Sequence, residues 1–420
     1  MADVELTTAA PLQGGGIVTL LEVFDPRNVS DPYPAYRRWR ELRPVWQGDE
    51  RLFVFSRHRD CAAVLRDSRF GHAEDDLLEP LGNLEQGGLD MSVDLDSMEA
   101  RSFLFLNPPD HTRLRRLVSS AFTPKRVEAL APRIEQITSE LLDAAQAAQS
   151  PIDLIDALAS PLPVIVIGEL LGIPLEDRPR LVEWSHAMAR GLDPAFLLPP
   201  GVREEQTAAR LEFSAYLSDL VAERRRKPGE DLLSALVGVR DSGDVLSEDE
   251  LVATSILILI AGHETTTNLI GNGVLALLRE PDQLARLREA PDLVGRAVEE
   301  LLRYDSVVQL TARTALHDVE VAGATVPRGA FVLLLVGAAN RDPEAHPDPD
   351  RLDIGREPTR HLAFGQGIHF CMGAPLARLE AQVALRAVTQ RFGGLHLEGE
   401  PTWKETAVLR GLRTLPVGQS

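Results

Sequence analysis

The sequence predicts a mainly α-helical protein with small β-sheets. Three observations carry that prediction. Leucine- and alanine-rich segments at helical spacing dominate the chain, strand-like runs are few and short, and prolines punctuate the helical segments. The 420 residues are 44% hydrophobic and 25% charged, a balance that suits a large buried core. No Gly/Ser or Pro-rich linker, low-complexity tract or repeat marks a boundary, so residues 17–420 read as a single domain. Residues 1–16 are small, polar and Gly-ended. They read as a disordered tail, without the basic start and apolar core of a signal peptide.

In order along the chain, Pro34 to Leu42 and Asp60 to Leu65 read as helices, with Leu52-Phe53-Val54-Phe55 as a strand between them. Gly71 to Arg101 is acidic and has no clean period; a connection of that length inside a domain tends to carry function. Helices follow around Val127 to Ala145, Leu162 to Leu171 and Arg178 to Met188. After a proline-rich loop, Asp193 to Gly201, another runs from Glu204 to Arg225. Ser247 and Glu250 fit a capping box, and Glu280-Pro281 ends the helix they open, because a residue before proline leaves the α region. At about 1.5 Å per residue this is a rod of about 45–50 Å, which must cross the middle of the molecule. Asp292 to Tyr304 is helical. Thr311 to Leu316, Val319 to Val321 and Phe331 to Val336 are strand-like, and Asn340 to Asp353 is irregular.

The formal charge of −19 disfavours nucleic acid or an anionic membrane surface as a partner. No apolar run approaches the roughly 20 residues that span a bilayer, so a cytoplasmic protein is expected. Cys61 and Cys371 are the two cysteines, too few for a disulfide framework.

Chemistry concentrates around Cys371. In Phe364-Gly365-Gln366-Gly367-Ile368-His369-Phe370-Cys371-Met372-Gly373 two glycines permit a tight turn. The cysteine then sits at the mouth of a helix with Pro375 in its first turn, where N–H groups and the helix dipole favour a thiolate. Gly373 would let something flat approach beside the sulfur. The bland alternative is a buried structural cysteine, which the glycine spacing makes the poorer reading.

A second anomaly lies inside the long helix, at Ala261-Gly262-His263-Glu264-Thr265-Thr266. A glycine costs about 1 kcal/mol in a helix interior, a buried carboxylate is expensive unless paired, and threonine can bond back to a carbonyl. Several local rules fail at one place, which is where function is expected. A polar helix–helix contact is the alternative. His111 and Arg115 share a helix face and could clamp carboxylates, or form a solvated basic face. Glu300 and Arg303 make an E-x-x-R pair, a pattern that recurs at Glu223/Arg226 and Glu357/Arg360 and means little alone.

The F-G-x-G-x-H-x-C-x-G run resembles the haem-binding loop of the cytochrome P450 family, and the A-G-x-E-T and E-x-x-R patterns occur in that family's order. The resemblance spans about Asp31 to Val417 and is nearest to soluble bacterial members. It implies the cytochrome P450 fold, with haem b between the long central helix and the cysteine-loop helix. By resemblance Cys371 ligates the iron, and Phe364, Gly365, Gly373 and Ala261 border the haem. His111, Arg115, Arg313 and His369 would hold its propionates. Thr265 would hydrogen-bond dioxygen and Glu264 would relay protons, since O–O cleavage needs two protons and an otherwise dry pocket. Glu300, Arg303 and Arg351 would form a structural triad behind the cysteine loop.

The implied activity is a monooxygenase that hydroxylates or epoxidises a medium to large apolar molecule in bacterial secondary metabolism. No P-loop, Rossmann or flavin pattern is present, so electrons must arrive singly from outside; the resemblance implies a ferredoxin with its ferredoxin reductase as the donor. Arg113, Arg116, Lys125, Arg126 and Arg378 are the candidate docking cations. The segments Leu84 to Phe103 and Leu192 to Leu198, with Ile258, Ala261, Thr265, Val307, Val308, Gln309, Leu310, Val408 and Leu409, would line the substrate pocket, Gln309 offering a hydrogen bond. The rival readings are a haem-thiolate enzyme of oxidative coupling or isomerisation, a haem-retaining ligand-binding or sensor protein, and, more distantly, a zinc enzyme using Cys371 and His369. His317, His346, His361 and Cys61 read as structural or surface residues.

Overall fold

The structure, a computed structural model, describes residues 20–48, 51–72, 102–147, 151–194, 197–239, 244–357 and 360–418. Of the acidic connection Gly71 to Arg101, only Gly71 and His72 lie within them, and the Leu84 to Phe103 lining lies outside except for Ser102 and Phe103.

The central helix runs from Glu248 to Arg279, 32 residues or about 48 Å. Ser247 Oγ accepts from Glu250 N and Glu250 Oε2 accepts from Ser247 N, so both halves of the capping box form. Glu280 ends the helix, and Pro281 then opens the next one, Pro281–Glu289. Proline at the first helical position loses only an N–H that has no intrahelical acceptor. Among the helices that pack around the rod are Pro161–Leu171, Arg178–Arg190, Val202–Arg226, Val294–Tyr304 and Ala374–Arg391. Along it everything from Leu251 to Leu277 is buried except Ile258, Ala261, Gly262 and Thr265. That i, i+3, i+4, i+7 spacing is one stripe of a helix. A solvent-accessible stripe on a rod otherwise sunk in the core marks an internal cleft.

Several boundaries differ from the sequence reading. The helix expected over Val127 to Ala145 is two helices, Pro124–Ala129 and Ala131–Ala147. Pro132 cannot donate to a preceding turn, and Thr123 caps the first piece by accepting from Arg126 N. The strands expected to reach Leu316 and Val336 stop at Ala315 and Leu334, and Val336–Ala339 is a short helical turn.

The main sheet has five strands in the order Val45–Gln47, Leu52–Phe55, Phe331–Leu334, Thr311–Ala315, Phe70–Gly71. Leu52–Phe55 pairs parallel with Phe331–Leu334; the other pairings are antiparallel. A hairpin of Thr402–Trp403 and Leu412–Thr414 carries the loop 404–411 back to the central helix, where Asn272 Nδ2 donates to Arg410 O at 3.1 Å. Mainly helical architecture with small sheets is what the sequence predicts.

Candidate active site

The cysteine loop owes its shape to two glycines in the left-handed region, Gly365 (φ 66°) and Gly367 (φ 72°). At Gly367 a side chain would also strike Leu65 O, 2.3 Å from where its Cβ would stand. Cys371 N donates to Phe364 O at 2.9 Å, closing the loop just before the helix Ala374–Arg391. The predicted first-turn proline is there. Gly373 is not forced by strain: among the described residues a Cβ on it would meet only Cys371 Sγ, at 3.9 Å. The face beside the sulfur is therefore open. Ile368 and Phe370, large apolar residues, are also exposed there.

Cys371 departs from expectation in one respect. Burial pushes its thiol above the ordinary value, outweighing the N–H groups of Gly373 and Ala374 and the cations Arg115 and Arg378 that pull it down. The helix terminus alone does not yield a thiolate; a metal cation at the sulfur would.

Next to the loop lies a nest of nitrogen donors with no carboxylate among the described residues that form it. His111 is buried with its ring 4.3 Å from that of His369. Neither ring nitrogen of His369 has a partner. Burial, with Arg313, His111 and Arg115 nearby, pushes His369 down to about 3, so it stands neutral. Arg115 donates to Phe370 O at 2.5 Å. Arg313 is buried and donates only to Ala312 O (2.7 Å) and, weakly, to Thr311 Oγ1 (3.5 Å).

A fifth member, His72, escaped the sequence reading. Its ring stands edge-on to His369 at 4.9 Å and its Nε2 has no partner. Asn107 holds it in place, accepting from His72 N and donating to His72 O, each at 2.9 Å. No local pattern marks it, since it follows a two-residue edge strand. Orphaned buried donors around an arginine pair require anions, and the two carboxylates of a haem match that need.

On the central helix Thr265 Oγ1 donates to Ala261 O at 2.5 Å, the back-bond expected of threonine. Gly262 admits Ile167 of the neighbouring helix, whose Cδ1 would lie 2.7 Å from an added Cβ. Glu264 is buried and paired: Lys404 Nζ donates to Oε1, and His186 Nε2 lies 3.5 Å from Oε2. The Lys404 ammonium overcomes burial and holds the carboxyl below its usual range. Neither Lys404 nor His186 was singled out in the sequence, because each reaches Glu264 from a distant segment.

The structural triad needs one correction. Arg303 makes a two-pronged ion pair with Glu300, both bonds 2.8 Å, and donates to the carbonyls of Asn340 and Pro349. The third member is Arg356, whose Nε lies 3.0 and 3.1 Å from the two Glu300 oxygens. The Arg351 side chain is 67% exposed and reaches only Asp353, at 4.0 Å. It supplies its backbone carbonyl, which accepts from Arg356 Nη2 at 3.2 Å. The irregular segment turns sharply, so the arginine five residues on reaches Glu300.

The expected pocket lining divides. Ile258, Val307, Val308 and Val408 join the core cluster that includes Phe364 and Met372. Leu310 instead packs with Tyr33, Tyr36 and Trp39. Gln309 does not offer its amide to a cleft: its Nε2 donates to Ser306 O, and its Oε1 crowds Gly337 beside Tyr36. Three of the five candidate docking cations are spent in ion pairs, Arg113 with Glu250, Arg116 with Asp244 and Arg378 with Glu299, while Lys125 and Arg126 are exposed.

The whole-chain comparisons agree with this geometry. The model of the family described as Cytochrome P450 matches residues 90–413. The chain is similar to the 6-deoxyerythronolide B hydroxylase of Saccharopolyspora erythraea, 46% identical over 395 residues, 92% of this chain and 96% of that one. It is 43% identical over 399 residues to the cytochrome P450 monooxygenase PikC of Streptomyces venezuelae, 92% of this chain and 91% of the relative. Among solved structures, P450BioI in complex with an acyl carrier protein ligated to hexadec-9Z-enoic acid superposes with a TM-score of 0.85 at 38% identity, covering 94% of this chain and 99% of that one. No described helix is long and apolar enough to cross a membrane. An open glycine face beside Cys371, an anion-seeking nest and a cleft along the central helix occur together in a chain that belongs to the cytochrome P450 family of haem-binding monooxygenases.

Proposed function

We propose that this enzyme inserts one atom of O2 into a C–H bond or an alkene of a medium to large apolar molecule, in the secondary metabolism of a bacterial cytoplasm. The observation that carries this reading is the accessible stripe Ile258, Ala261, Gly262 and Thr265 on a helix otherwise buried from Leu251 to Leu277. It supplies an apolar, enclosed wall with one hydroxyl in it.

Haem held through Cys371 supplies the one-electron and oxygen chemistry. The protein's residues do the rest. His72, His111, His369, Arg115 and Arg313 meet the two carboxylates and fix the macrocycle's orientation. Thr265 Oγ1 can exchange its bond to Ala261 O for one to an oxygen atom in the cleft, at a cost of about 1 kcal/mol. Glu264, anchored by Lys404 on the neighbouring loop, is the carboxylate that hands protons toward that hydroxyl. Val307, Val308, Val408 and Ile258 keep the cleft apolar and exclude water from the reacting atoms. Electrons arrive singly from a ferredoxin and its reductase, with Lys125 and Arg126 as the exposed cations beside the cysteine-loop helix. Arg378 braces the loop instead, pairing with Glu299 and stacking on Phe364 at 4.5 Å.

The test is a screen of apolar natural products for a shift of the Soret band, followed by turnover under ¹⁸O2 with a ferredoxin chain. One labelled oxygen in the product supports insertion; unlabelled coupled product overturns it. Cys371→Ser should abolish the thiolate-specific carbon monoxide difference band, and survival of the band would mean that another residue ligates the iron.

A further inference from the structure

On the side of Glu264 that faces the helix Arg178–Arg190 stand two histidines that the oxygenation chemistry does not require. His186, His263 and Glu264 each offer one ligand atom, and these atoms lie within 4.8 Å of one another. The two imidazoles are nearly parallel, 17° apart with ring centroids at 5.5 Å. His263 is fully buried, yet its Nδ1 has no partner; its Nε2 is engaged by Ser160 Oγ at 3.3 Å. Glu264 Oε2 is also buried without a hydrogen bond. Ser160 sits where it does because the preceding turn, Ile155–Ala159, is a π-helix, a local irregularity that often marks a functional position.

We propose that His186, His263 and Glu264 form a binding site for a divalent transition-metal ion of the zinc type, separate from the haem. Two imidazoles and a carboxylate are a common zinc donor set, and three protein ligands leave a fourth position for water. The outer contact of His263 to Ser160 is the kind of bond that orients a ligating imidazole. His186 is about half exposed, which gives the ion a route in and the ring freedom to move. A tetrahedral ion about 2 Å from each ligand needs donors closer together than 4.8 Å, so the exposed ring swings inward on binding.

Nearby charge permits this. Lys404 occupies Oε1 and leaves Oε2 for the ion, and Asp156 acts on His186 as a further negative charge. Burial keeps both histidines below their ordinary value, hence neutral and able to ligate near pH 7. Magnesium and calcium prefer oxygen cages and fit this set poorly. If Glu264 has the proton-relay role proposed above, bound zinc also slows turnover. The site itself does not depend on that role.

The experiment is calorimetric titration of zinc chloride into the haem-loaded full chain in a non-chelating buffer. One saturable site in the micromolar range is expected. His186→Ala, a surface change that leaves folding intact, should weaken it by about tenfold or more, since losing only an outer-shell partner costs about 10–100-fold. Glu264→Gln should weaken it likewise. Lys404→Met should tighten it by about threefold or more, because a like charge is removed, and His58→Ala should change nothing. Absence of a saturable heat, or zinc binding that His186→Ala and Glu264→Gln leave unaltered, would overturn the proposal.

Discussion

Asp193 joins two segments that are far apart in sequence and were both expected at the substrate cleft. Its Oδ1 accepts from Ala407 N at 3.0 Å and Val408 N at 2.9 Å, clasping the loop after Arg178–Arg190 to the turn that carries Val408. Burial pushes this carboxyl up to about 6 from its ordinary 3.8, although the two N–H groups and Arg190 pull the other way. At about 1.4 kcal/mol per pH unit, that gap means the ionised side chain costs the folded state about 3 kcal/mol. The sign follows from proton binding. Between pH 3.8 and about 6 the folded chain holds a proton that the unfolded chain has released, so stability falls as pH rises through that window.

Asp193→Asn keeps the accepting oxygen and removes the charge. It should stabilise the protein by up to about 3 kcal/mol at pH 8, and by about half as much at pH 5. For a chain of this length each kcal/mol moves Tm by about 1 °C, so scanning calorimetry should show a rise of about 3 °C at pH 8 and less at pH 5. A gain independent of pH, or a loss at pH 8, would refute the reasoning. Either result would mean that the two N–H bonds reward the charge more than burial penalises it.

Three further outcomes follow from the site. Arg356→Ala should destabilise by about 3–5 kcal/mol, because it strands part of the buried Glu300 charge, whereas Arg351→Ala should change stability by less than about 0.5 kcal/mol. Denaturant titration of both variants checks the reassigned triad, and equal effects would reverse it. His72→Ala should lose one hydrogen bond to a carboxylate, worth about 1.5–3 kcal/mol, and release haem at least about tenfold faster in a transfer assay to apomyoglobin; an unchanged rate removes His72 from the nest. Thr265→Ala should keep substrate affinity while diverting reducing equivalents to peroxide, measured as product formed per NADPH consumed, and undiminished coupling would exclude the proposed role of its hydroxyl.

The long helix and the cysteine loop were readable from the sequence because local forces build them. The capping box at Ser247, the proline after Glu280 and the paired glycines at Gly365 and Gly367 act within a few residues of themselves. So does the back-bond of Thr265 to Ala261. Periodicity likewise predicted most helices, but not the break at Pro132 or the short helix Leu232–Gly238, which Asp231 caps by accepting from Ser234 N.

The site's surroundings were decided by tertiary structure. Arg356 rather than Arg351 reaches Glu300 because an aperiodic segment turns where no local rule says it must. His72, Lys404 and Asp193 act through partners 35 to 215 residues away. Whether Glu264 is ruinous or useful depends on Lys404, and whether Cys371 is a thiolate depends on burial that its own helix cannot offset. A sequence displays the interactions that chain neighbours make. Pairing across the core, and the desolvation that sets each charge state, exist only once the chain has closed around them.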